Sequence, residues 1–117
     1  NDPNGLVYLD GEYHLFFQYN PYGNTWGHMS WGHAVSTDLI NWTELPVAIA
    51  EYTDAATGDS TMIFSGTAVV DFTNTHKLCA EPNCLVSIYT SHLHANNQGL
   101  RQHQSLAYSN DKGRTWK

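Results

Sequence analysis

Apolar and polar residues alternate in short runs along most of the chain, which is the period-two pattern of β-strands rather than the longer period of helices. Turn signals at 10–11 and 110–113, and a polar loop rich in Gly and Thr at 51–61, interrupt these runs. The predicted strands are 5–9, 12–20, 29–36 and 42–49 in the first half, and 62–72, 85–91 and 102–109 in the second, where another begins at Trp116. The pattern therefore predicts an all-β protein.

The strand at 12–20 is apolar on both of its faces. One face carries Tyr13, Leu15, Phe17 and Tyr19, and the other carries His14, Phe16 and Gln18. We therefore expect it to be covered on both sides. The strand at 42–49 contains Pro46, which cannot donate to a sheet ladder and so favours an edge position.

The two halves of the chain echo each other. The segment H-A-V-S-T-D at 33–38 corresponds to L-A-Y-S-N-D at 106–111, and each copy leads to a Trp, Trp42 or Trp116. The segment at 109–116 also resembles the Asp-box turn of sialidase-type propellers. A repeated unit of four strands is typical of β-propeller blades, and a β-sandwich with a coincidental echo is the alternative.

Charge and composition narrow the range of partners. The net charge is −6 with only five Lys and Arg residues, which argues against nucleic acid and anionic membranes as partners. No apolar stretch approaches the length of a membrane span. Aromatic residues make up 13% of the chain, and such rings either fill a core or stack on a ligand such as a sugar.

Three features of the sequence indicate where the protein is located and whether the chain is part of a longer one. Cys79 and Cys84 form either a small disulfide loop or two reduced thiols, and the sequence leaves both open. Asn41-Trp42-Thr43 matches a glycosylation sequon, which together with the cysteines favours an extracellular protein. Because the chain begins without Met and inside a motif, we interpret it as part of a longer polypeptide.

Five short motifs carry the functional information. By itself the first would indicate a turn, because Pro, Asn and Gly are turn residues. In order they are N-D-P-N-G at 1–5, F-F-Q-Y-N-P at 16–21, W-G-H at 26–28, S-W-G-H-A at 30–34 and F-S-G at 64–66. In this order and spacing they resemble the N-terminal part of the β-fructosidases. These enzymes form glycoside hydrolase family thirty-two, which includes invertases, inulinases and levanases.

The resemblance implies a fold and a domain organisation. The parent protein would contain a five-bladed β-propeller, of which this chain holds about the first two four-stranded blades. Blade one would span about 1–50 and blade two about 62–117, the latter incomplete. Since blades bury their faces against neighbours, two alone would leave apolar surface uncovered, and we expect the isolated piece to be unstable or prone to aggregation.

The resemblance also implies a set of site residues. Asp2 would be the catalytic nucleophile, with Asn1 and Asn4 nearby as amide donors. The substrate-binding residues would be Asn1, Asn4, Gln18, Trp26, Phe64 and Ser65. Other roles stay open for four of them: Asn1 and Asn4 as turn formers, Gln18 as an amide bonded to backbone, and Trp26 as a core residue. Trp31 and His33 match motif positions too, but we assign them to packing.

The implied reaction is hydrolysis of β-fructosidic bonds in sucrose or fructans such as inulin and levan, with retention. The family uses two further carboxylates, one in a Glu-Cys motif and one in an Arg-Asp-Pro motif, and this sequence contains neither motif. We therefore expect the chain alone to be inactive. A fructosyltransferase using the same covalent intermediate, or a non-catalytic propeller that binds fructans, would match the same motifs over this stretch.

No cofactor or metal ion is expected. The chain has seven His, and His92 and His94 would share one face of a strand, while His28 and His33 are close in sequence. No Cys or carboxylate at ligand spacing completes either pair, so the pattern does not favour a zinc site. The sequence also lacks a Gly-rich phosphate loop.

Overall fold

The computed structural model describes residues 1–75, 77–96 and 98–117, and within these ranges the regular elements are eight β-strands. The strands are β1 (Pro3–Leu9), β2 (Glu12–Tyr19), β3 (Ser30–Ser36), β4 (Thr43–Ile49), β5 (Tyr52–Thr53), β6 (Ser60–Asp71), β7 (Cys84–Ala95) and β8 (Gln98–Ser109). The prediction of an all-β fold is confirmed. None of the described elements is a helix long and apolar enough to cross a membrane.

The strands form two antiparallel sheets of four, in the orders β1-β2-β3-β4 and β5-β6-β7-β8. Each strand therefore pairs with its neighbour in sequence, as hairpin connections dictate. β4 lies at an edge of its sheet, as Pro46 predicted. β7 and β8 extend further than predicted, to Ala95 and from Gln98, because their pairing continues along the hairpin.

Two strand predictions in the second half were wrong. The segment 51–61 was predicted to be a loop, but it contains β5, which pairs with the first residues of β6. No strand is assigned at Trp116, where one was predicted to begin. Lys117 nevertheless exchanges two backbone hydrogen bonds with Tyr108, at 2.9 and 3.0 Å. The same antiparallel pairing joins Thr43 to Val35 in the first sheet.

The opening motif is extended rather than turned. β1 begins at Pro3, two residues earlier than predicted, and Asn4 pairs with Phe16 of β2. The backbone N–H of Gln18 also donates to the Asp2 carbonyl, at 2.9 Å. The interpretation of Asp-Pro-Asn-Gly as a turn is therefore wrong, because pairing with β2 holds these residues in the sheet.

The sequence echo corresponds to a repeated turn. The Ser36 hydroxyl donates to Asp38 Oδ1 at 3.0 Å, and the Ser109 hydroxyl donates to Asp111 Oδ1 at 2.8 Å. Both carboxylates also accept backbone N–H groups from residues further along their turns. In each turn the ring N–H of the Trp donates to a carbonyl three residues earlier, at 3.1 Å, from Trp42 to Leu39 and from Trp116 to Gly113.

The hydrophobic core lies between the two sheets. Its largest fully buried apolar side chains are Phe16, Trp31, Ile63 and Leu85, each with 0% exposure. The assignment of Trp31 and His33 to packing agrees with their burial. A smaller cluster contains Cys79, Cys84 and Val86, and Cys79 and Cys84 form a disulfide.

The strand at 12–20 was expected to be covered on both faces, but only one of them is fully buried. His14, Phe16 and Gln18 face the core, while the opposite face is only partly covered. Apolar side chains also stay exposed on both sheets: Leu6, Tyr8, Val69, Ile88 and Leu106 are between 43% and 59% exposed. Uncovered apolar surface of this kind fits the expectation that further protein packs on these sheets.

Two buried histidines meet in the core. His14 Nδ1 and His33 Nε2 lie 3.0 Å apart, so one ring donates a hydrogen bond to the other. Gly113 packs against both rings, where a Cβ would come within 3.1 Å of His33. Burial lowers the pKa of His14, and burial and the neighbouring His14 lower the pKa of His33 to about 3. Both rings are therefore neutral in the folded protein near neutral pH.

This pair makes stability depend on pH. Between the ordinary pKa of 6.5 and the folded value of about 3 for His33, the unfolded chain takes up a proton that the folded chain excludes. Stability is therefore full above pH 6.5 and falls on acidification, by up to about 1.4 kcal/mol per pH unit for His33. We expect the melting temperature of the full-length protein to drop between about pH 7.5 and pH 5. His33→Gln should flatten this dependence, whereas His103→Gln, at an exposed position of β8, should leave it intact. An equal slope in both variants would contradict the prediction.

Candidate active site

An open hollow of about 580 Å³ lies where the start of β1 and the middle of β6 meet the end of β2. Six of the seven predicted site residues line it: Asn1, Asp2, Gln18, Trp26, Phe64 and Ser65. They come from three strands or their ends and one loop, and they are spread over more than sixty positions of sequence. Its size is in the range of sites that hold small ligands.

Asp2 stands at the edge of this hollow with its carboxylate accessible. The Ser65 hydroxyl donates to Asp2 Oδ2 at 3.0 Å. We expected the amides of Asn1 and Asn4 to supply donors to this carboxylate, but the donor that the structure records is Ser65. A hydroxyl bond to one oxygen fixes the carboxylate while leaving the other oxygen available for a ligand.

Strand pairing is irregular close to both Asp2 and Ser65. The register of β1 against β2 shifts between Asn4 and Leu6, and the register of β6 against β7 shifts between Ile63 and Gly66. Each shift inserts one extra residue into the strand, as a β-bulge does. The ladder is interrupted at Phe64 and Ser65, so these two residues are released from regular pairing just where they meet the hollow.

The carbonyls beside the second bulge bond to the first sheet instead. Gln18 Nε2 donates to the Ile63 carbonyl at 3.0 Å, and Trp31 Nε1 donates to the Phe64 carbonyl at 2.9 Å. The N–H of Ile63 donates to the Met29 carbonyl at 2.8 Å. The side-chain nitrogen of Gln18 is therefore bonded to backbone, which was the alternative role left open for this residue. These bonds set the position of β6 against the first sheet and so hold Ser65 beside Asp2.

Trp26 is not a core residue. Its side chain is 74% exposed, so the core alternative is wrong in this structure. It stands at the rim of the hollow with its ring 6.3 Å from that of Phe64, at an edge-on angle of 72°. Two rings at such an angle offer apolar surface from two directions to a ligand in the hollow.

Asn4 is the predicted site residue that does not line the hollow. It is 4% exposed and its Oδ1 accepts a bond from the Gly66 N–H at 3.4 Å, while its Nδ2 is buried without a partner among the described residues. Asn4 therefore links β1 to β6 behind the hollow.

The prediction missed the loop between β2 and β3. Tyr19, Asn20, Gly23, Asn24, Thr25 and Met29 complete the lining. Asn20 shapes this loop, because its Nδ2 donates to the Thr25 carbonyl at 2.9 Å and its Oδ1 accepts from the Tyr22 N–H at 2.9 Å. The turn residues Asn20, Pro21 and Asn24 were a usable signal, since loops on rigid strands often carry binding residues.

The hollow holds one acidic group. Among the described lining residues, only Asp2 has a carboxylate side chain. Retaining glycoside hydrolysis needs a second carboxyl about 5–5.5 Å away. Within the described part of the chain, no cluster of three or more His, Cys, Asp and Glu side chains is arranged to hold a metal ion. Within the described residues, Asp2 is therefore the one carboxylate that this hollow can bring to a ligand.

The whole chain, residues 1–117, matches the family described as the glycosyl hydrolases family 32 N-terminal domain. The chain belongs to glycosyl hydrolase family 32. The resemblance in the five motifs is thereby confirmed, and so is the assignment to the glycoside hydrolases.

Family 32 relatives match along nearly the full chain. The levanase of Bacillus subtilis is 56% identical over 117 residues, which cover 99% of this chain and 16% of the levanase. The extracellular exo-inulinase of Aspergillus awamori is 46% identical over 125 residues, covering 99% of this chain and 23% of that protein. The crystal structure of the Aspergillus awamori exo-inulinase matches with a TM-score of 0.87 and 46% identity, over 100% of this chain and 24% of that one.

These neighbours in family 32 are β-propeller enzymes, and this chain corresponds to their N-terminal part. The chain spans about a sixth to a quarter of the length of the relatives that it matches.

Proposed function

We propose that the full-length protein hydrolyses β-D-fructofuranosidic bonds in sucrose or in fructans such as inulin and levan. The observation that carries the proposal is the Asp2 carboxylate at the open hollow, bonded to Ser65 at 3.0 Å and accompanied by the Trp26 and Phe64 rings. The names of the family relatives, levanase and exo-inulinase, support the substrate class.

The proposed reaction proceeds in two steps with retention. Asp2 attacks the anomeric carbon of the fructosyl unit while an acid from outside this chain protonates the departing oxygen, and a covalent fructosyl-enzyme forms. Water, activated by that same external group, then attacks from the face that the leaving group vacated and displaces Asp2, so that the two inversions give retention. Asn1, Gln18, Trp26, Phe64 and Ser65 would contact the sugar, and Asn4 would support them from behind. Residues 1–117 by themselves would not turn over substrate.

The domain organisation follows the same proposal. The two sheets would be two consecutive blades of a five-bladed propeller, blade one at about 1–50 and blade two at about 62–117. Lys117, whose backbone pairs with Tyr108 of β8, would begin the outer strand of blade two. An extracellular location is proposed as well, because the Cys79–Cys84 disulfide suits an oxidising compartment and the exo-inulinase relative is named as extracellular.

The proposal is tested with the full-length protein on sucrose, inulin and levan. We expect free fructose from at least one of them, and methyl β-D-fructofuranoside when methanol competes with water, because two displacements retain the anomeric configuration. Glucose released from sucrose without equal free fructose would indicate transfer to a sugar acceptor instead. No cleavage of any of the three would contradict the proposal.

A further inference from the structure

A second hollow adjoins the first, and three imidazole groups line it. It has a volume of about 420 Å³ and shares Asn20, Thr25 and Trp26 with the first hollow. Its remaining lining includes His28, Glu51, His92 and His94, none of which the five motifs assigned to substrate. Because the two hollows are contiguous, a ligand larger than one sugar ring would extend from one into the other.

Glu51 is the central polar group of this second hollow. Its Oε2 lies 2.6 Å from His28 Nδ1, its Oε1 lies 3.3 Å from His94 Nε2, and its side chain is 12% exposed. The Glu51 N–H in turn donates to the Ser30 hydroxyl at 2.9 Å, which fixes the backbone. A carboxylate has about four acceptor sites, so two imidazoles leave capacity for the hydroxyl donors of a sugar.

A row of rings connects the two hollows. The Phe64 ring stacks on His92 at 4.6 Å and 7°, and His92 stacks on His94 at 5.9 Å and 18°. The Gln102 side-chain amide lies 3.0 Å from His92 Nδ1 and supports its orientation. Flat rings suit the C–H faces of sugars, while a nearby carboxylate accepts from their hydroxyls. The second hollow offers both kinds of contact.

We propose that the second hollow binds the sugar unit next to the fructosyl unit held at Asp2, and that Glu51 is a specificity-determining residue for it. This inference rests on the proposed function and deepens it, since it assigns recognition of the second unit to a group outside the five motifs. Glu51 accepts hydroxyl hydrogen bonds from that unit and takes no part in bond cleavage.

The test is a binding measurement by calorimetry on full-length protein carrying Asp2→Asn, so that substrate is not consumed. Adding Glu51→Gln keeps the side-chain size but removes the charge and half of the acceptor capacity. We expect the dissociation constants of sucrose and of an inulin trisaccharide to rise about tenfold, as expected for a lost bond to a charged group. The dissociation constant of free fructose should not change, because fructose alone occupies the first hollow.

Two further results decide between recognition and a structural role. Adding Glu44→Gln instead makes the same charge change at an exposed position of β4, and it should alter neither dissociation constant. If Glu51→Gln weakens fructose and sucrose equally, Glu51 only supports the Trp26 loop and the inference is wrong. Unchanged sucrose binding would also overturn it. Cleavage by the unsubstituted protein is measured separately. A failure of the proposed function can therefore be distinguished from a failure of the Glu51 inference.

Discussion

Asp2→Asn in the full-length protein should reduce kcat on sucrose and on fructans by roughly 10⁴-fold. Asn has nearly the same shape as Asp, but its amide is not a nucleophile, so the covalent fructosyl-enzyme cannot form. The Ser65 hydroxyl that now donates to Asp2 Oδ2 can donate equally to an amide oxygen, and folding should be unaffected. The measurement is steady-state release of fructose, together with the melting temperature.

The matched control is Asp10→Asn, which removes the same charge at the other end of β1. Asp10 lies in the β1–β2 turn at φ 49°, a conformation that Asn also tolerates, and it is paired with Lys112 at 3.1 Å on the surface. We expect nearly normal kcat in that variant. Turnover by Asp2→Asn near the level of Asp10→Asn would exclude the nucleophile role.

Gly5→Ala should strongly reduce the stability of the protein. Gly5 is where β1 crosses β6, and a Cβ there would lie 2.6 Å from the Ala68 Cβ and 2.9 Å from the Ala68 Cα. Real side chains do not approach a neighbouring backbone so closely, so the two sheets would have to separate. We expect a loss of about 3 kcal/mol, measured as a lower melting temperature of the full-length protein. Separation of β1 from β6 also moves Asp2 away from Ser65, so kcat should fall as well.

Gly23→Ala is the control for this effect. A Cβ at Gly23 meets no atom within 4 Å, so the same added methyl group should leave the melting temperature nearly unchanged. Equal melting temperatures for Gly5→Ala and Gly23→Ala would contradict the role of Gly5 as the point of close approach between the sheets.

Much of the fold could be predicted because strand pairing here is local. Alternation and turn residues located β1 to β4, β6 and the central parts of β7 and β8, and hairpins then fixed their order. β5 was missed because a two-residue strand carries no periodic signal, and its pairing depends on the start of β6. The start of β1 was missed because the turn residues at 3–4 were interpreted by their local preference, whereas pairing with β2 decides their conformation.

The sequence grouped the candidate site residues but did not give their geometry. Six of the seven residues line one hollow, yet motif order does not say which atoms meet. Asn4 bonds to Gly66 behind the hollow, and the Gln18 nitrogen bonds to the Ile63 carbonyl. These partners come from the other sheet, so they depend on how two sheets pack. The disulfide was open for a similar reason, because a spacing allows a bond without requiring it.

The sequence by itself determined most of the strands, the repeated Ser-Asp turns, the family and Asp2 as the candidate nucleophile, because each of these is written in short segments that act locally. Only the tertiary structure decided that Ser65 is the donor to Asp2, across 63 positions of sequence, and that Glu51 joins His28 and His94 beside a second hollow. The physical reason is that such contacts depend on how separate segments pack, as in the approach of β1 to β6 at Gly5 beside Asp2 and Ser65. That approach is a property of two packed sheets and of no single segment.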